Sequence, residues 1–513
     1  MTRARSTVQS RLFSGGAIAL ISQMLNIGQS ILMVPLILRF WDQEMYGIWT
    51  ALIATQALFS CLDQGHQAYL GAAFNLQASQ SAAVLRETLG SAVKFTLIFG
   101  SIEVLVVALL GSCGALAPLS GIAHDVAGLY LVNLSLLVLI INNVITGSLG
   151  GILVRLYTTY SRFVRASWWG IALRLLLFLG TVGTIALGGG IFAVCAVTTV
   201  IHILVSTAIL IDLRKLFPEL YPWWDCGNLR IGAKNFFHST SLTGSFFLEQ
   251  ASFNGVTLLV TDRLGPAIVP LFTTMRSIAS LVYQGGGLVL QPLLPDLARY
   301  HVNKEPGKIT AYIQAYWFAA VIGVALALAL APWAEAAYLT WTRHKFVFSW
   351  TLFICLFWSA ASRIFQTPLV FYFAATNALR EQFIISLGRT LVVVIGAMLL
   401  LPSFGITGAG LALVCADVFV GLPLTLFMMG RDSRGSAVKL EAGPIFYGVA
   451  PTVVVGVVAV LTWNETGAPL RWIVCGGCLA LLALATGLWR SLPRDVHQRA
   501  LSLLGLLKFR QAP

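Results

Sequence analysis

Two apolar stretches between Phe236 and Leu297 carry ionisable groups where a lipid bilayer would have its middle. The first, residues 236–261, is long enough to cross hydrocarbon, for which about 20 helical residues suffice. Ser241, Ser245 and Ser252 recur on one side of it at helical spacing, and Glu249 lies on the flank of that stripe. The second, residues 267–290, sets Arg276, Ser280 and Tyr283 at i, i+4 and i+7, with Arg276 near mid-depth. A charge at a bilayer centre costs roughly 2.5 to 3.5 kcal/mol on insertion scales, so such groups face a protein interior or a water-filled cavity. The two stretches therefore read as walls of a polar cavity. The plainer reading is a structural pair in which Glu249 and Arg276 only neutralise each other.

Seven charged side chains fall well inside apolar segments: Glu103, Arg174, Glu249, Arg276, Arg363, Arg389 and Asp417. At about 3 kcal/mol apiece an uncompensated set would cost roughly 20 kcal/mol, so most are paired, hydrated or offset by a ligand. Arginine outnumbers acid, and a guanidinium keeps its charge in low dielectric while offering phosphate a planar fork of donors. Arg276, Arg174, Arg363 and Arg389 are thus the candidates for holding an anion, with packing or snorkelling as the plainer use of each. Glu249, Glu103 and Asp417 are the candidates for coupling to H+ or Na+, because a carboxyl group in a low-dielectric cavity can exchange protons near neutral pH. Ser22, Asn26 and Gln29 share a face of the first span, and Gln56, Ser60 and Asp63 share one along the second and its inner end. Together with Ser245, Ser280 and Tyr283 they form the expected polar lining, although hydrogen bonding between helices is the commoner use of such residues.

The surrounding composition fixes the class. The 513 residues are 58% hydrophobic and 10% charged, with a mean hydropathy of +0.83, as in a polytopic membrane protein. The formal net charge of +13 is spread from loop to loop, so it does not build a nucleic-acid surface. The eight cysteines are scattered, and Cys475 and Cys478 enclose two glycines in an apolar stretch suited to close helix packing, so neither a metal nor another cofactor is expected. No cleavable signal is expected, because the first apolar segment is too long and lacks a small-residue cleavage site.

Windows of about 20 residues give fourteen expected spans: 14–38, 46–62, 91–111, 127–152, 167–187, 190–212, 236–261, 267–290, 312–334, 347–373, 382–402, 406–429, 445–463 and 468–489. With the N-terminus inside, the inner segments hold 24 of the 33 Lys and Arg, and the outer ones hold only Arg39, Arg263, Arg343, Lys345 and Arg471. Positive charge stays in the cytoplasm, so both termini are expected there. The proline- and tryptophan-rich connection 213–235 divides a six-helix lobe, 1–212, from a second, 236–430, leaving 431–513 as two extra spans and a basic tail in which 496–507 could lie at the interface. Arg174 and Arg389, and likewise Gly190-Ile191 and Gly405-Ile406, are 215 residues apart, in keeping with an internal repeat. No GxxxxGK[ST] phosphate loop or HExxH is present, and the longest outer loops, 112–126 and 335–346, leave little room for a catalytic domain.

Tyr46-Gly47-Ile48-Trp49, Gln291-Pro292-Leu293-Leu294-Pro295-Asp296, the run Leu401-Pro402-Ser403-Phe404-Gly405-Ile406-Thr407-Gly408-Ala409 and the Pro218 to Arg230 loop resemble the Wzx-type polysaccharide and O-antigen flippases, members of the multidrug/oligosaccharidyl-lipid/polysaccharide (MOP) exporter superfamily. The resemblance covers nearly the whole chain through diffuse motifs. It implies an all-α polytopic fold of about 14 transmembrane helices, two six-helix lobes around a central cavity plus two C-terminal helices, in a bacterial inner membrane. It also implies alternating access that moves an undecaprenyl-diphosphate-linked oligosaccharide, a polysaccharide repeat unit, from the cytoplasmic to the periplasmic leaflet, with a polysaccharide polymerase and chain-length machinery as further partners. The alternatives are a cation-coupled multidrug antiporter, a lipid II flippase and, from another class, a membrane-embedded glycan polymerase or ligase. Against the antiporter, residues 12–38 hold no Asp or Glu, and arginines within the spans repel cationic drugs.

Overall fold

A computed structural model describes residues 2–78, 81–116, 126–290, 297, 300–301, 303–376 and 378–436. The described chain is almost entirely helical, and no strand occurs among these residues. In order come α1 (Thr2–Phe40), α2 (Gln43–Ala78), α3 (Ala82–Ser112), α4 (Val126–Asn142) running through a π-helical turn (Asn143–Leu149) into α5 (Gly150–Thr159), α6 (Phe163–Ala186), α7 (Ile191–Leu216) and α8 (Leu229–Leu264). Then follow α9 (Val269–Leu290), α10 (Pro306–Leu330), the short α11 (Ala334–Trp341), α12 (Trp350–Ala375), α13 (Leu379–Phe404) and α14 (Ile406–Val414), which a second π-helical turn (Cys415–Gly421) joins to α15 (Leu422–Ser436).

Ten helices among the described residues are long and apolar enough to cross a membrane, so the protein is multi-pass. The expected spans 236–261 and 267–290 lie on α8 and α9, which are long helices too polar to count among those ten. The expected spans 445–463 and 468–489, the Cys475–Cys478 pair and the 496–507 segment lie outside the described residues, as does the Gln291 to Asp296 motif.

The second span runs farther than expected. The drop in hydropathy at Asp63-Gln64-Gly65-His66-Gln67 marks the end of a span in sequence, yet α2 continues to Ala78. Packing is what prolongs it. A Cβ on Gly65 would lie 2.4 Å from Cα of Thr243 in α8, and one on Gly71 would lie 2.6 Å from Cδ of Arg155 in α5. Both glycines therefore sit where neighbours cross closely, the use of small residues in membrane helices. Asp63 and His66 are consequently in the middle of α2 and buried. The expected outer loop 335–346 is likewise helical in its first half, as α11.

Two compact units make up the fold. The first holds Met1–Thr273 with Trp341–Lys345, and so extends past the 213–235 connection to include α8. Within it α8 packs along α2 and α3, α1 packs on α6, and α6 packs on α7. Its principal apolar core joins Leu70 and Phe74 of α2, Leu85 and Leu89 of α3, Ile152 and Leu156 of α5, and Leu213 of α7. At one end Asp212 of α7 accepts hydrogen bonds from Tyr157 Oη (2.6 Å), Trp169 Nε1 (3.3 Å) and Arg165 Nε (2.8 Å), tying α5, α6 and α7 together. The connection after α7 is ordered by the same unit: Leu220 and Trp223 enter the core, Lys94 Nζ donates to Gly227 O (3.0 Å), and Asn228 caps α8 by accepting from Arg230 N (2.9 Å). Trp341 Nε1 donates to Ile31 O and Gln43 Nε2 to Lys345 O, each at 2.6 Å, which fixes the Trp341–Lys345 segment in this unit.

The second unit holds Thr274–Thr340 and the described residues from Phe346 on. In it α13 packs on α14, and α12 packs on α10, α14 and α15. Trp317 of α10, fully buried, donates Nε1 to Phe365 O of α12 (3.0 Å).

The α2–α8 crossing should be intolerant of added bulk. Gly65→Val forces backbone apart and should cost about 1 to 3 kcal/mol, as overpacking does, whereas Gly28→Ala, with nothing within 4 Å of the new methyl, should be neutral. Melting of the detergent-solubilised protein, followed by size-exclusion fluorescence, compares them directly.

Candidate functional site

The sequence-derived site residues fall into separate places in the two units. In the first unit, Arg174 of α6 donates Nη1 to Ser22 O (2.7 Å) and to Ser22 Oγ (3.2 Å), while Gln29 Nε2 donates to Arg174 O (3.3 Å). The Ser22 and Gln29 face of α1 is therefore the face that meets α6, and Asn26, the third member of that stripe, is exposed. Gln56 is half-buried on α2. Ser245 is buried on α8 and donates Oγ to Ser241 O (3.0 Å), whereas Glu249, one turn on, is exposed.

Asp63 and Glu103 belong to a buried polar group that the sequence does not announce. Asp63 Oδ2 accepts from Gln67 Nε2 (2.9 Å), and the same amide donates to Gly147 O (3.1 Å) in the π-helical turn. Asp63 acts electrostatically on His66, Glu103 and Arg155, which brings α2, α3 and α5 together around one spot. His66 Nδ1 lies 3.1 Å from Ser239 Oγ of α8, and its ring stands edge-on to Phe95 and Phe236. His66, Gln67 and Arg155 escape sequence reading because they lie past the point where hydropathy ends the second span. The i, i+3 and i+4 spacing of Asp63, His66 and Gln67 was the available signal.

In the second unit, Arg389 of α13 and Asp417 of the second π-helical turn form a buried ion pair through Nε and Oδ1. Ser359 Oγ of α12 donates to the other carboxylate oxygen, while Ser362 Oγ (2.8 Å) and Gln366 Nε2 (3.0 Å) donate to Asp417 O. That carbonyl also accepts from Leu422 N, five residues on, which is the π-type bond. Arg389 and Asp417 thus compensate each other inside the helix packing, as buried charges must.

Arg276 of α9 and Arg363 of α12 act on each other electrostatically. Each guanidinium feels the repulsion of the other, and Arg363 Cζ lies 4.9 Å from the centroid of the Tyr283 ring, a cation–π contact. Both arginines are half-buried. Along α9, Ser280 Oγ donates to Ser277 O (2.9 Å) and accepts from Gln284 Nε2 (3.0 Å), so the Arg276, Ser280 and Tyr283 stripe is the polar side of that helix. Two cations and a tyrosine in one place can bind an anion with several oxygens through fork-shaped, charge-assisted hydrogen bonds. No group of three or more His, Cys, Asp or Glu able to hold a metal occurs among the described residues.

The two arginine arrangements should respond differently to mutation. Arg389→Ala leaves Asp417 as an uncompensated buried charge and should destabilise by about 3 to 5 kcal/mol. Replacing both, Arg389→Met with Asp417→Leu, should recover most of that loss, as a thermal-melting double-mutant cycle would show.

Neither a protein-family model nor a curated protein sequence matches this chain. Solved structures do. The chain is similar to a lipid II flippase, MurJ, in an inward closed conformation, with a TM-score of 0.63 at 13% identity over 93% of this chain and 99% of that one. It is also similar to an inward-facing multidrug resistance MATE family transporter of the MOP superfamily, with a TM-score of 0.58 at 12% identity over 81% of this chain and 98% of that one. A MOP superfamily transporter from Pyrococcus furiosus, described as having a binding pocket of reversed polarity, gives 0.57 at 13% identity over 82% and 95%. At these identities the likeness is one of architecture: the chain has the all-α polytopic fold of the MOP superfamily transporters.

Proposed function

We propose that the protein is a MOP-type flippase that exports a prenyl-diphosphate-linked oligosaccharide across the inner membrane, with both termini in the cytoplasm. The observation that carries the reading is Arg363 stacked on Tyr283 at 4.9 Å, with Arg276, on the same helix as Tyr283, near enough to act on Arg363 electrostatically. Two guanidinium groups in the second unit put positive charge inside an apolar helix bundle, and a diphosphate, with about two negative charges, is the kind of ligand such charge attracts. A planar guanidinium fork matches phosphate oxygens better than an ammonium does. Within the first unit Arg174 is a further positive charge, and its hydrogen-bond partners Ser22 O and Oγ are neutral. Export then proceeds by exposing the arginine pair to the two faces of the membrane in turn, and only a difference in ligand or ion affinity between the two states can drive the exchange.

A lipid II flippase is the second reading, because its substrate is also a prenyl diphosphate and the fold likeness to MurJ extends over 93% of this chain. The nature of the sugars distinguishes the two. A drug antiporter fits less well, since clustered arginines repel cationic drugs.

Transport of a labelled prenyl-diphosphate oligosaccharide in proteoliposomes tests the reading. Arg276→Ala should lower transport at least about tenfold to hundredfold, the equivalent of roughly 1.5 to 3 kcal/mol for hydrogen bonds to a charged group. Arg276→Lys should recover only part of it, because the charge returns without the fork. Full transport by Arg276→Ala would sink the proposal. Orientation is tested by a membrane-impermeant maleimide: exposed Cys226, before α8, should react only from the cytoplasmic side, and exposed Cys113, after α3, only from the outer side. Labelling of Cys226 from outside would invert the topology.

A further inference from the structure

The polar group around Asp63 in the first unit is separate from the arginine pair of the second, and anion binding makes no use of it. Its composition sets a charge problem. Arg155 is positive and Asp63, accepting from Gln67, is the fixed anion. Glu103, 6% exposed, supplies a second carboxyl group, and Asp63 repels it. With both acids ionised and His66 neutral the cluster carries one uncompensated negative charge in a low-dielectric interior, where such a charge is costly. Among the described residues no ion pair is made by Asp63 or Glu103. The buried face of α8 contributes only hydroxyls, Ser239, Thr243, Ser245 and Ser252 among them, and Cys61 of α2 already donates Sγ to Leu58 O.

Two atoms are placed to take a proton. Ser239 Oγ donates its hydrogen to Phe236 O (2.7 Å), so it can only accept from His66 at 3.1 Å, and the imidazole must carry its hydrogen on Nδ1. That leaves Nε2, on a side chain 1% exposed, as a bare acceptor with no hydrogen-bond partner. Glu103 Oε1 is equally buried and also lacks a partner. A buried acceptor without a donor is costly, and one added proton removes the net charge and occupies one of the two unmet acceptors.

We infer that Asp63, His66, Glu103 and Arg155 form a proton-binding site that holds one exchangeable proton, carried by Glu103, with His66 Nε2 as the second acceptor. Binding and release change the cluster between neutral and singly negative. The site could couple a proton gradient to transport by favouring one state of the protein when loaded. That coupling rests on the export reading; the proton site itself does not.

The test therefore uses the purified full chain without substrate. Infrared difference spectra between acidic and alkaline buffer should show a protonated carboxyl band that fades as pH rises. The band should be missing from Glu103→Gln, in which a neutral amide copies the protonated acid and so keeps the fold. Glu103→Asp should restore a titrating band, and His66→Gln should move its midpoint. A band that survives in Glu103→Gln, or no titrating carboxyl in the wild type, overturns the site, and an unmoved midpoint in His66→Gln removes the histidine from it. Because no oligosaccharide is present, this result and the Arg276 transport result can fail independently.

Discussion

Charge in a medium that cannot solvate it is the constraint on which this structure depends. Apolar helices in lipid gain little by packing on each other, so whatever is polar inside them must be satisfied by neighbouring helices. The described units meet this demand in four ways. Arg389 and Asp417 cancel in a buried pair braced by two serines and a glutamine. Arg174 is held by a backbone carbonyl and a hydroxyl. Asp63, Glu103, His66 and Arg155 pool their charges around one spot. Arg276 and Arg363 lie close enough to repel. The first two arrangements stabilise helix packing, while the last two gather like charges, acids in one unit and arginines in the other.

Small and polar residues make these arrangements possible. Gly65 lets α8 approach α2 closely enough for Ser239 to reach His66, and Gly71 lets Arg155 cross α2. The two π-helical turns lie at comparable junctions. One presents Gly147 O to Gln67, and the other leaves Asp417 O able to accept from Ser362 and Gln366 as well as from its own helix. An ordinary α-helical turn commits that carbonyl to the residue four ahead, so the wider turn is what gives the polar group its position.

Much of this was legible in the sequence, and what was not has a physical reason. Composition and hydropathy gave the all-helical membrane class, and the polarity of residues 236–290 marked α8 and α9 as unlike their neighbours. The Arg276, Ser280 and Tyr283 spacing found the polar side of α9. Pairing was hidden. Arg389 and Asp417 are 28 residues apart on helices joined by a turn, and nothing local says that the acid answers that arginine rather than another. The Asp63 cluster was hidden because hydropathy averages over a window, so a helix that stays helical through Asp-Gln-Gly-His-Gln by contact with α5 and α8 reads as ending there.

The residues expected to mark an internal repeat show how one position can be put to two uses. Gly190 and Gly405 both cap the helix that follows them, at Ile191 and Ile406. Arg174 and Arg389 both lie near the middle of the preceding helix, one in each unit. Asp417 meets Arg389, but residues 12–38, whose Ser22 meets Arg174, hold no acid at all. The Arg174 charge is therefore shared with neutral oxygens while that of Arg389 is cancelled. At the same 215-residue offset the place of Asp417 is taken in the first unit by His202, which lies against Asn142 rather than Arg174, so the two arginines are satisfied by different means.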